Sequence, residues 1–206
     1  MAINLGSMMG NRSGEVVNAL NLQKNQILDL TKKNPGLEKV VLGAGWDIAK
    51  NGYDFDLDIA AFLLNSNGKV QNIPQDVIFF NNMEAPGIVL EGDNRTGAGD
   101  GDGDDERITI DLSQIRSDIA KIVFVTTIHE AQAKRQTFGM VENSYIRLLD
   151  AKNNEKEVCR FNLKEDGSTS TSVIFAELFR EGFEWQFKAV GEGKMADLNG
   201  ILSLYM

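Results

Sequence analysis

Two short acidic stretches stand out in a chain of 206 residues. Asp54, Asp56 and Asp58 alternate with Phe55 and Leu57, and residues 91–106, EGDNRTGAGDGDGDDE, interleave seven acids and one arginine with glycines. The first stretch contributes −3 and the second −6, which together account for the whole net charge of −9. On a strand, Asp54, Asp56 and Asp58 share one face. Carboxylates about 7 Å apart at an effective dielectric of about 20 repel by about 2.4 kcal/mol per adjacent pair, so a cation between them is expected. In the second stretch, glycines permit the positive φ angles that let carboxylates and carbonyls converge. Asp93, Asn94, Asp104, Asp105 and Glu106 suit calcium, which takes about six to eight oxygens.

Other metals fit less well. One His and one Cys cannot build a usual zinc site, and magnesium prefers to keep its waters. Two calcium ions are expected, because ten clustered acids exceed what one ion neutralises. The loop is not an EF-hand: counted from Asp100, position 6 is Asp105 where glycine belongs and position 12 is Asp111 where glutamate belongs. A solvated strand edge and an acidic linker are the non-functional alternatives. The enzymatic alternative is a magnesium-dependent phosphohydrolase using the Asp54/Asp56 pair; against it, the apolar run Ile59–Leu64 follows the pair instead of preceding it. A calcium-dependent membrane adsorber would need basic or apolar residues clustered at the loop, and Met83, Ile88 and Val89 are not grouped with lysines, so membrane association is not expected to be intrinsic.

The elements that must position these groups read as strands. Hydrophobic residues make up 42% and charged residues 25%, the balance of an ordinary globular chain. The net charge argues against reading a nucleic-acid backbone. Runs at Gln26–Leu30, Lys39–Gly43, Phe55–Leu64, Val77–Phe80, Ile88–Leu90, Arg107–Leu112, Lys121–Ile128, Tyr145–Leu149, Val158–Leu163 and Phe183–Val190 are separated by turn residues, predicting an all-β sandwich of two antiparallel sheets with one or two short helices. A helix is expected over Val173–Phe179, capped by 168–172 and Gly182, and a shorter one within Met195–Leu204. Residues 1–17 read as a flexible extension and 18–206 as one domain. A single cysteine and no signal-peptide layout predict the cytoplasm. His129, Cys159, Trp46 and Trp185 read as structural.

Several motifs together resemble the TerD family of bacterial tellurium-resistance and stress-response proteins, from about residue 20 to 204. They are Gly43-Ala44-Gly45-Trp46-Asp47, Asp54-Phe55-Asp56-Leu57-Asp58, Phe79-Phe80-Asn81-Asn82, Gly92-Asp93-Asn94-Arg95-Thr96-Gly97, Gly103-Asp104-Asp105-Glu106, Thr127-Ile128-His129-Glu130-Ala131, Phe138-Gly139-x-Val141-x-Asn143 and Glu184-Trp185-x-Phe187. The resemblance implies a calcium-binding, non-enzymatic β-sandwich acting with other stress-response proteins. By position it adds Asn82 to the ligands Asp54, Asp56, Asp58, Asp93, Asn94, Asp104, Asp105 and Glu106, with Thr96 and Gly97 as carbonyl donors. Asp47 is a weaker match. The glycine loop is an Asp-Gly pair longer than the family pattern, which affects Asp100 and Asp102.

Overall fold

The computed structural model describes residues 19–47, 55–91, 103–162 and 169–206. Its thirteen strands are β1 (Leu20–Asn21), β2 (Ile27–Asp29), β3 (Lys39–Asp47), β4 (Leu57–Leu64), β5 (Val77–Ile78), β6 (Glu84–Ala85), β7 (Ile88–Glu91), β8 (Glu106–Asp111), β9 (Lys121–Ile128), β10 (Glu142–Asp150), β11 (Lys156–Asn162), β12 (Ser172–Glu181) and β13 (Glu184–Lys194). They form a seven-stranded sheet in the order β1-β11-β10-β3-β8-β7-β6 and a six-stranded sheet in the order β2-β13-β12-β9-β4-β5. Every pairing is antiparallel except β1 with β11. The described helices are short: α1 (Leu30–Lys33), α2 (Ala131–Lys134) and α3 (Leu198–Leu202).

Side-chain alternation builds the core between the sheets. Val40, Leu42, Ala44 and Trp46 of β3 meet Leu57, Ile59, Ala61 and Leu63 of β4 in one buried cluster, with Ile108, Ile110, Phe124, Ile146 and Leu148 beside them. Each such Val, Leu, Ile or Phe side chain contributes about 1.5–3 kcal/mol of burial. The other face of the six-stranded sheet is also apolar. Ala60, Phe62, Leu64, Val123, Val125 and Ile174 form a second cluster, closed by Ile201 of α3 and by Tyr205. Asp197 caps α3 by accepting from the Gly200 N–H at 2.8 Å.

All ten expected strands are present. The helix expected over Val173–Phe179 is instead the middle of β12. Its residues are buried on both faces, Phe175 and Leu178 toward the inter-sheet core and Ile174 toward the outer cluster. A continuous apolar run does not carry a period that separates helix from strand. A bulge between Ile174 and Ala176 shifts the alternation further. Gly182, expected as a helix cap, lies at φ +64° in the two-residue turn joining β12 to β13. The expected extension over residues 1–17 lies outside the described residues.

Antiparallel pairing gathers the ends of interest at one pole. There β3 ends and β4 begins, β7 ends and β8 begins, β9 ends and β10 begins, and β12 begins as β13 ends. The strands bounding both acidic stretches therefore open onto the same end of the sandwich.

Candidate metal centre

Three consecutive acids, Asp104 and Asp105 just before β8 and Glu106 at its start, project in different directions, because the chain bends there before strand alternation sets in at Glu106. Glu106 turns inward and is buried; its Oε2 accepts from the Ile59 N–H of the opposite sheet at 2.6 Å. Asp105 prolongs the β3 pairing, its N–H donating to the Ala44 carbonyl at 2.8 Å and its Oδ2 accepting from the Trp46 N–H at 2.9 Å. Asp104 turns to the outer face of the seven-stranded sheet. Its side chain is fully buried there, with Oδ1 accepting from Arg147 Nε at 2.7 Å and from the Tyr145 hydroxyl at 3.3 Å. Its Oδ2 is buried with no hydrogen-bond partner among the described residues.

The Gly-x-Gly of β3 makes room for these groups. A Cβ at Gly43 would lie 2.2 Å from the Asp104 carboxyl carbon, and one at Gly45 would lie 2.5 Å from the Tyr145 ring. Neighbouring charges perturb one another. Burial would lower the Arg147 guanidinium, but the hydrogen bond and charge of Asp104 outweigh it and hold it above its usual range. Burial raises the Tyr145 phenol, and the Asp104 carboxylate adds to that.

Asp58 lies on a different surface. Asp58 has the same phase as Ala60 and Phe62, so it faces outward from the six-stranded sheet, opposite Thr127 of β9. Its Oδ2 is 3.5 Å from His129 Nδ1, and the Asp56 carbonyl accepts from the His129 N–H at 2.8 Å. The Asn82 amide nitrogen donates to the Pro74 and Val77 carbonyls at 2.9 and 2.8 Å, holding the turn after β5. The expected ligands Asp54, Asp93, Asn94, Thr96 and Gly97 lie outside the described residues. Among the described residues, no three His, Cys, Asp or Glu side chains gather in a metal-binding group. The described candidates thus share a pole but stand on three surfaces of the sandwich.

The donors present suit a hard cation. They are all oxygen, and the buried Oδ2 of Asp104 is an acceptor with nothing to accept from among the described residues. Sequence reasoning missed Tyr145, Arg147 and the role of Gly43. The signal for the glycines was their spacing: two glycines two apart on a strand leave one face bare. His129, expected to be structural, is half-exposed and pairs with Asp58. Cys159 is buried, and burial with the nearby Glu157 charge pushes its thiol up to about 12. Trp46 and Trp185 are buried in the core as expected.

The profile of the TerD domain matches residues 19–205. The chain belongs to the TerD family. It is 45% identical over 190 residues to the tellurium resistance protein TerD of Serratia marcescens, covering 91% of this chain and 97% of that protein. It is 46% identical over 190 residues to general stress protein 16U of Bacillus subtilis, covering 90% and 96%. Among solved structures, a protein of unknown function superposes with a TM-score of 0.67 at 26% identity, over 81% of this chain and 95% of that one. A TerD homologue from Streptomyces coelicolor A3(2) superposes with a TM-score of 0.66 at 22% identity, covering 81% and 96%, and so shares the fold. Among the described residues of this TerD-family chain, no helix is long and apolar enough to cross a membrane.

Proposed function

We propose that this chain is a calcium-binding, non-enzymatic module of the tellurium-resistance and general stress response, acting in the cytoplasm with other stress-response proteins. Two calcium ions are held by Asp54, Asp56, Asp58, Asn82, Asp93, Asn94, Asp104, Asp105 and Glu106, with carbonyls from Thr96 and Gly97. The observation that carries this reading is the buried Asp104 carboxylate, whose Oδ2 has no hydrogen-bond partner among the described residues. A buried anionic oxygen left so is costly, and a hard cation is its natural partner. When bound, calcium supplies charge neutralisation and ties loop to strand. The chain's own residues supply the frame: Glu106 locks β8 to β4, Asp105 extends the β3–β8 pairing, and Gly43 leaves space for Asp104. The non-enzymatic reading is supported by the Cys159 thiol, which burial keeps protonated and away from solvent.

The stress-response setting rests on the names of the relatives. Calcium at a hundredfold excess over its dissociation constant stabilises a single site by about 2.7 kcal/mol, which for a domain of this size raises the melting temperature by roughly 5–10 °C. Thermal scans with equal calcium and magnesium test this: calcium raises the melting temperature well above magnesium, and the Asp104→Asn/Asp105→Asn double variant loses most of that gain. Equal shifts from both ions, or none, contradict the reading.

A further inference from the structure

The outer face of the seven-stranded sheet carries a cross-strand row that the calcium reading does not use. Register aligns Asn21, Arg160, Arg147, Gly43, Arg107 and Glu91 across six neighbouring strands. Asp104 lies over the glycine in the middle of this row, between two of its three arginines. The outer arginines have their own partners. Arg160 is held by both Glu157 oxygens at 3.0 Å and stacks 4.2 Å over the Tyr145 ring. Arg107 pairs with Glu155 at 2.5 Å and with Glu91 at 3.5 Å. Arg147 alone of the three is within 3 Å of Asp104, and it has a second carboxylate, Glu157, 3.5 Å away.

We propose that Arg147 is a built-in competitor for the cation at Asp104: guanidinium and divalent ion are alternative partners of one buried carboxylate, so Arg147 sets how tightly the cation binds. This rests on the calcium reading above. Without a cation, Arg147 keeps a buried carboxylate from standing uncompensated, which would be strongly destabilising. With a cation at Asp104, a guanidinium less than 3 Å from the same carboxylate is repelled, and Glu157 receives it. Apparent affinity is then reduced by the fraction of molecules in which Arg147 holds Asp104. The contact protects the unloaded protein and weakens the loaded one.

Calcium titration calorimetry on the full chain, its Arg147→Gln and Arg147→Lys variants, and Glu157→Gln tests this. Arg147→Gln binds calcium about tenfold more tightly, a difference that corresponds to about 1.4 kcal/mol. Arg147→Lys, which keeps the charge, stays near the parent. Glu157→Gln, which removes the receiving carboxylate, binds several-fold more weakly. In chelator Arg147→Gln melts below the parent, and in saturating calcium that gap closes or reverses, which a merely structural role would not produce. Unchanged or weaker binding by Arg147→Gln, with the parent binding normally, overturns the inference and leaves the calcium reading intact. If Arg147→Gln does not fold, unchanged or tighter binding by Glu157→Gln overturns it equally. Failure of every chain to bind calcium removes both.

Discussion

Replacing Gly43 with alanine isolates the packing that the Asp104 site depends on. The φ of Gly43 is not in the left-handed region, so the backbone tolerates a side chain, and alanine for glycine within a strand would by itself gain about 0.5–1 kcal/mol. The added Cβ, however, would sit 2.2 Å from both Asp104 Cγ and Oδ2, and that carboxylate is fully buried and held by Arg147 and Tyr145. Overpacking costs about 1–3 kcal/mol. Pulling the carboxylate from Arg147 loses a charge-assisted hydrogen bond of about 1.5–3 kcal/mol. The net expectation is about 2–4 kcal/mol of destabilisation, or roughly 5–15 °C in melting temperature for this size. Thermal and urea melts in chelator measure it, and Gly43→Ala placed in an Asp104→Ala background supplies the control. There the clash is gone, so the alanine is neutral or stabilising. An equal cost in both backgrounds, or no cost in either, would refute the argument that Gly43 exists to seat Asp104.

Two further expectations concern other parts of the sandwich. Asp76 is fully buried, pairs with Arg116 at 2.8 Å and accepts from the Asn72 N–H, so Asp76→Ala costs about 3–5 kcal/mol in a denaturant melt. Asp118→Ala, which removes the half-exposed partner of the same arginine, costs under about 1 kcal/mol; similar costs would contradict the burial argument. The Cys159 thiol, at about 12 when folded, should resist an aromatic disulfide reagent at pH 8 in the native protein and react once the chain is denatured. Because its folded value lies above the unfolded value of about 8.5, its stabilising contribution is intact below that pH and is lost as pH rises toward 12. Rapid stoichiometric labelling of the native chain would contradict this.

The strand framework was legible because alternation and turn residues mark it: Lys121–Ile128 is bounded in the structure as the pattern predicts. β12 was illegible for a physical reason, since Ile174 and Phe175 are both buried, on opposite faces. At the acidic stretches, charge counting picked out segments whose bounding strands open onto one pole, but not the arrangement of the described acids. Period-2 logic placed Asp58 on the face opposite Leu57 and Ile59, as the structure has it, yet it could not show that Asp104 reaches across Gly43 to an arginine 43 positions later. Such a contact depends on the register of β3 against both β8 and β10, which is set by the whole sheet and by no local pattern. The TerD motifs carried the family assignment, which the match over residues 19–205 bears out.

The central claim, that the acidic pole holds calcium, is tested most directly by equilibrium dialysis of the full chain against labelled calcium at fixed ionic strength. Binding at this pole gives saturation near two ions per chain, undiminished by equal magnesium and sharply reduced in Asp104→Asn/Asp105→Asn. No retained calcium, or displacement of the bound ion by equimolar magnesium, would contradict it.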